Sequence, residues 1–159
     1  MIVREQRPGD DAEVRELLSL AFGGAAEADL VERLHRDGDV AFALVAEEDG
    51  IAGHILLSRL DAPLRALALA PLAVLPERQR RGIGGRLVRA ALERARQDGW
   101  EAMFVLGDPD YYRRFGFDAA LTRGFDSPYS GPAFMVLALS GELSASTGRV
   151  GYPAAFAAL

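Results

Sequence analysis

The sequence predicts a single α/β (α+β) domain, a mixed and mostly antiparallel central sheet with helices on both faces. Three observations predict it. Two apolar runs, Ala41–Ala46 and Ile51–Leu57, flank Asp49-Gly50, a dipeptide suited to a tight hairpin turn. A third run, Leu67–Leu75, passes through a glycine-rich turn into an amphipathic helix and then another apolar run, Trp100–Leu106, the order of a β-α-β unit. Finally, the 159 residues are 50% hydrophobic and 26% charged, enough for one core and too apolar for disorder.

The elements follow in order. Ile2–Arg4 is a short strand. Asp10, with Glu13 three residues on, forms a capping-box pattern for a helix whose buried face is Val14, Leu17, Leu18 and Ala21. A break at 22–26 leads to a second helix, Glu27–Arg36, closed by Asp37-Gly38. The run 67–75 is apolar throughout, as in a strand covered on both faces, and Pro71 within it predicts a bulge, because proline donates nothing to a ladder. Ile83, Leu87, Val88, Ala91, Leu92 and Ala95 share one side of a helix ending near Asp98-Gly99. Tyr111–Phe115 is a short helix, and Phe117–Leu121 and Ala133–Leu139 are the last two strands. The expectation is one domain over 1–159, with 141–159 as a C-terminal extension.

Composition narrows the chemistry. With no cysteine there is no disulfide, thiolate metal site or cysteine nucleophile. His35 and His54 form no HxxxH pair, so no metal site is expected. No apolar run is long enough to span a bilayer and the N-terminus has no signal-peptide core, so the expected location is the cytoplasm, away from membranes. The net charge is −5, and all 18 basic residues are arginines. Seven of them, at 78, 80, 81, 86, 89, 94 and 96, lie in one segment. That implies a local anion site and no general affinity for nucleic acid.

The anion site is placed by 72–86. A buried strand runs into Gln79-Arg80-Arg81-Gly82-Ile83-Gly84-Gly85, which opens a helix. Helix N-termini offer unpaired N–H groups and partial positive charge, and glycines let a phosphate approach them. A Walker loop is excluded because there is no lysine, and a dinucleotide fingerprint fails because its third glycine position is Leu87. What remains is Gln79-x-x-Gly82-x-Gly84 after Leu72-Ala73-Val74, followed downstream by Tyr111-Tyr112-Arg113-Arg114-Phe115-Gly116-Phe117.

Both segments resemble the acetyl-CoA-binding motif and the FYxxxGF motif of the GNAT family of N-acetyltransferases, in its bacterial YhbS-like form, over roughly residues 1–140. The resemblance implies a sheet splayed between its two central strands, with acetyl-CoA as cosubstrate. Leu72, Ala73 and Val74 would meet the pantetheine arm. Gln79, Arg80, Arg81, Gly82, Ile83, Gly84 and Gly85 would wrap the pyrophosphate. Tyr112 would protonate the leaving thiolate. The position seven residues before it, an asparagine in enzymes acting on ribosomal-protein N-termini, is Val105, which favours a small-molecule amine as acceptor. For a general base the sequence leaves His54, Asp108, Glu27 or water open. The loop Gly124–Gly131 is either a lining of the acceptor pocket or a plain connection. An edge strand near the C-terminus offers a pairing edge for a homodimer. Two other readings stand beside the enzyme: a non-catalytic CoA-binding module, and a partner-binding protein using the basic helix.

Overall fold

The computed structural model describes residues 1–159. Its elements are β1 (Ile2–Glu5), α1 (Asp11–Phe22), α2 (Ala26–Arg36), β2 (Val40–Glu47), β3 (Ile51–Arg59), β4 (Ala66–Val74), α3 (Ile83–Gln97), β5 (Ala102–Leu106), α4 (Pro109–Tyr112), β6 (Phe125–Asp126), β7 (Phe134–Ala138) and β8 (Gly148–Arg149). Six strands form the main sheet in the order β1-β2-β3-β4-β5-β7. Only β4 and β5 run parallel; every other neighbour is antiparallel. This is the mixed, mostly antiparallel sheet the sequence predicts.

Alternation along the strands builds a layer on each face. On one face Ile55, Leu57, Leu67, Leu69, Met103 and Val105 pack beneath Leu87, Val88 and Ala91 of α3. On the other, Val45, Leu56 and Ala73 lie beneath α1 and α2, joined by Phe156 from the C-terminal tail. Beside that second core, Phe104, Phe134 and Val136 pack with Phe125 and Val150. No helix is long and apolar enough to cross a membrane.

Pro71 does what its chemistry predicts. Ile55 pairs with Leu72 and Leu57 with Leu69, so Ala70 and Pro71 together oppose Leu56 in a bulge. On the other edge of β4, pairing with β5 runs from Ala66↔Ala102 to Leu69↔Val105 and stops. Beyond Leu69 the two strands part, and the sheet opens toward the C-terminal end of β4.

Two local expectations are corrected. The Asp10–Glu13 capping box does not form. The Asp10 carboxylate accepts from Arg4 at 2.8 and 2.9 Å and from the Arg7 N–H at 2.7 Å, while Glu13 accepts the Ile51 N–H at 2.6 Å. Tertiary partners outbid the helix terminus. Phe117–Leu121 is not a strand: it touches β7 through one bridge, Asp118↔Val136, then turns into a 3₁₀ segment, Ala120–Thr122. The C-terminal extension folds onto the rest of the chain. β8 pairs in parallel with β6, Asp61 and Gly151 exchange backbone hydrogen bonds at 2.9 and 2.7 Å, and Ala155 and Phe156 are buried.

Candidate active site

The glycine turn and α4 enclose a groove of about 490 Å³ at the open end of β4. Leu72, Val74, Gln79, Arg80, Gly82, Ile83, Gly84 and Gly85 line it, together with Arg78, Tyr111 and Arg114. Gly82 sits at the N-cap of α3 with φ 81°, a left-handed backbone that suits glycine. The first bond of α3 runs from the Arg86 N–H to the Gly82 carbonyl at 3.1 Å. The N–H groups of Ile83, Gly84 and Gly85 therefore have no helical partner and point out of the helix start into the groove. Arg78 anchors the turn by donating to the Glu48 carbonyl of the β2–β3 hairpin. Gln79 donates to the Val74 carbonyl at 3.3 Å.

The backbone of β4 supplies more donors. The Leu75 N–H bonds Ala52 of β3 at 2.9 Å. Alternation then turns the Val74 N–H, and that of Leu72, away from β3 and into the gap beside β5. Leu72 and Val74 put their side chains on the α3 face. Ala73 does not join them; its side chain is buried on the opposite face under α1. Arg81 is exposed and lies outside the groove.

Neighbouring tyrosines divide the wall of α4. A Cβ added at Gly84 would fall 2.7 Å from the Tyr111 hydroxyl, so only a glycine there lets that hydroxyl sit over the start of α3. Tyr112 stands just behind the groove lining. Its ring meets Phe117 edge to face at 5.7 Å between centroids and lies against Gly107, where a Cβ would be 2.5 Å from its ring. Burial, with the neighbouring Tyr111 phenol, pushes the Tyr112 phenol up to about 12. It is therefore a proton holder across the working range. Arg114 is fixed across the groove: its Nε donates to the Tyr111 carbonyl at 3.1 Å, and its guanidinium lies 4.1 Å from the centre of the Tyr111 ring.

Arg78, Tyr111 and Arg114 had no assigned role from sequence. For Tyr111 and Arg114 the signal was there in the Tyr-Tyr-Arg-Arg run, where residues three apart share one side of a helical turn; for Arg78 it was the arginine-rich segment itself. The arginines further along α3 are occupied elsewhere. Arg94 bonds Asp98 at 2.9 Å and reaches Glu5, and Arg96 donates to the Leu139 carbonyl at 3.0 Å.

None of the side chains considered as a base enters the groove. His54 has 0% exposure on the α1 face; its Nε2 lies 2.9 Å from Gln6 Oε1 and its Nδ1 has no partner. Burial, aided by the charge of His35, pushes its pKa down to about 3. Asp108 caps α4, accepting the Asp110 N–H at 2.9 Å. Glu27 is half-buried in the first turn of α2. A second cavity, of about 570 Å³, lies between Asp126–Tyr129 of the predicted loop and Arg149–Ala157 of the tail.

Splayed strands, a bulge at the parting and an anion groove at a glycine-rich helix start define an acyltransferase scaffold. Residues 12–117 match the family model "Acetyltransferase (GNAT) family", and the chain belongs to that family. It is 40% identical to the uncharacterized N-acetyltransferase YjhQ of Escherichia coli K12 over 89% of this chain and 86% of that one. It is 34% identical to the uncharacterized N-acetyltransferase YhbS of the same strain, over 96% of each. Among solved structures, Escherichia coli YhbS in complex with CoA superposes with a TM-score of 0.91 at 33% identity, covering 98% of this chain and 91% of that one. A GNAT acetyltransferase from Brucella melitensis in complex with acetyl-CoA gives 0.82 at 35% identity, covering 98% and 97%.

Proposed function

We propose that this chain is an acetyl-CoA-dependent N-acetyltransferase that moves the acetyl group to a primary amine of a small molecule by direct attack in a ternary complex. The observation that carries the reading is the groove itself: free N–H groups at the start of α3, flanked by Arg78, Arg80 and Arg114, opening into the gap where β4 leaves β5. Its donors suit the pyrophosphate of the cosubstrate. The Leu72 and Val74 N–H groups suit a pantetheine arm laid along the open edge of β4, and they bring the thioester to the parting.

The chemistry follows from that placement. A neutral amine attacks the thioester carbonyl; the C–N bond forms and the C–S bond breaks. In this reading the Val74 N–H meets the carbonyl oxygen as charge builds on it. The Tyr112 phenol, in the same reading, protonates the departing thiolate, giving the acetamide and CoA. The amine's own proton goes to water, since His54 is sealed and held neutral. The CoA and acetyl-CoA complexes of the two solved relatives support the choice of cosubstrate.

Thermal melting tests the reading. At about 100 times its Kd a ligand adds about 2.7 kcal/mol, which is several degrees for a domain of this size. Acetyl-CoA and CoA should raise the melting temperature while ATP and NAD leave it unchanged. No shift with acetyl-CoA at any concentration would refute the reading.

A further inference from the structure

The cavity of about 570 Å³ between the 126–129 loop and the tail is separate from the cofactor groove, and its lining is chemically specific. In the parallel β6–β8 pair, Asp126 stands opposite Arg149. Register partners on adjacent strands lie about 5 Å apart and project to the same side. Both side chains line the cavity, yet they form no ion pair with one another or with any other residue. Behind them runs a row of three rings set edge to face: Tyr129 to Tyr152 at 4.7 Å and Tyr152 to Phe156 at 5.4 Å. One end of the cavity thus offers one charge of each sign, and one wall is aromatic.

Its position relates it to the acetyl donor. Phe156 packs into the core under α1 and α2, which includes Ala73 of β4. Tyr129 packs against the core around Phe104 of β5. The cavity walls therefore rest on cores that include residues of both β4 and β5, on the sheet face opposite α3. The loop also returns to the rim of that parting: the Gly107 N–H donates to the Ala133 carbonyl at 3.1 Å, and Gly107 is the residue against which Tyr112 packs.

The geometry points to this cavity as the acceptor site, and to an amino acid with an apolar or aromatic side chain as the acceptor; this rests on the acetyltransferase reading above. Arg149 takes the carboxylate, the rings of Tyr129, Tyr152 and Phe156 take the side chain, and Asp126 attracts the ammonium before it gives its proton to water. The neutral amine then attacks the thioester, forming the C–N bond and releasing CoA as the thiolate is protonated. With only one arginine, and an aspartate beside it, the cavity disfavours polyanions, and an amine without a carboxylate leaves Arg149 unmatched.

The test is release of free CoA from acetyl-CoA by the full chain, with phenylalanine and leucine each set against the amine lacking its carboxylate, phenethylamine and isoamylamine. The amino acids should exceed their decarboxylated partners by about tenfold or more in kcat/KM. Arg149→Gln should level the two series while the acetyl-CoA melting shift stays intact. The inference is overturned if the simple amines react as well or better, if Arg149→Gln keeps the preference, or if no natural amino acid releases CoA although acetyl-CoA still shifts the melt. Absence of that shift refutes the acetyltransferase reading itself, and this inference with it.

Discussion

Tyr111 and Tyr112 are adjacent, and about 100° of helical rotation separates their duties. Tyr111 carries its hydroxyl over Gly84; Tyr112 is pressed between Gly107 and Phe117 with its phenol shielded. Tyr112→Phe keeps the ring contacts and removes only the hydroxyl, the proposed acid. Steady-state CoA release should fall by about tenfold to a hundredfold in kcat, with the melting temperature and its acetyl-CoA shift unchanged. An unchanged kcat would assign Tyr112 to packing alone. Because its pKa lies at about 12, the wild type should also show no loss of kcat from this residue as pH rises to about 10. Arg114 acts differently. It touches the groove and not the parting, so Arg114→Ala should raise the KM for acetyl-CoA by about tenfold and leave kcat alone. A fall in kcat with constant KM would move Arg114 from binding to chemistry.

At the scale of elements, β3 carries a pH sensitivity in its own packing. His54 is sealed beneath α1 and is held neutral, its pKa lowered from 6.5 to about 3. Above pH 6.5 the folded and unfolded chains are both neutral at this residue, and it costs nothing. Below that value the unfolded chain takes up a proton that the folded one refuses, so stability falls as pH drops toward 3. The slope from this one group reaches about 1.4 kcal/mol per pH unit. Urea midpoints measured between pH 7 and 4.5 should decline in the wild type and flatten in His54→Gln; equal slopes would show that another group governs the window. The Arg4–Asp10 pair does not confuse it, since Asp10 titrates lower still, at about 2, and its contribution is lost only as pH falls from 3.8 through that value. The same element scale shows what was legible in the sequence. Apolar runs bounded by Asp49-Gly50, Asp98-Gly99 and the glycine turn place β2 to β5 and α3, because the flanking turn residues hold the runs to strand length and the helix is strongly amphipathic. The bulge follows from Pro71 alone. Asp10 misleads because a capping residue and an Arg4 partner look identical until the chain folds. Phe117–Leu121 misleads because strand-forming residues need a full neighbour, and here only Asp118 finds one. The division between Tyr111 and Tyr112 depends on how closely α4 approaches Gly84, which no local pattern encodes.

For the whole molecule, the least legible part is the one that closes it. Residues 141–159 have short, irregular apolar spacing, and their fold follows from distant partners: Asp61 for Gly151, β6 for β8, and the α1–α2 core for Phe156. Val150 and Phe156 are 1% and 6% exposed, so the tail seals the sheet face opposite α3 as core, not as an appendage. Phe156→Ala removes a buried ring and should cost about 3 kcal/mol or more, read as a lower urea midpoint. Because the cofactor groove lies on the other face, acetyl-CoA should still raise the melting temperature of this variant by the wild-type increment at matched saturation. A tail serving only as a surface strap predicts a change below about 0.5 kcal/mol instead. Loss of the acetyl-CoA increment in a variant that remains folded would mean that the two faces are coupled through β4. The strand makes such coupling physical: Ala73 sits in the tail-side core, while Leu72 and Val74 on either side of it line the groove. Retention of the increment, with the midpoint lowered, is the expected result, and it would assign the tail to holding up its own side of the sheet while α3 and its glycine turn hold the cofactor groove independently.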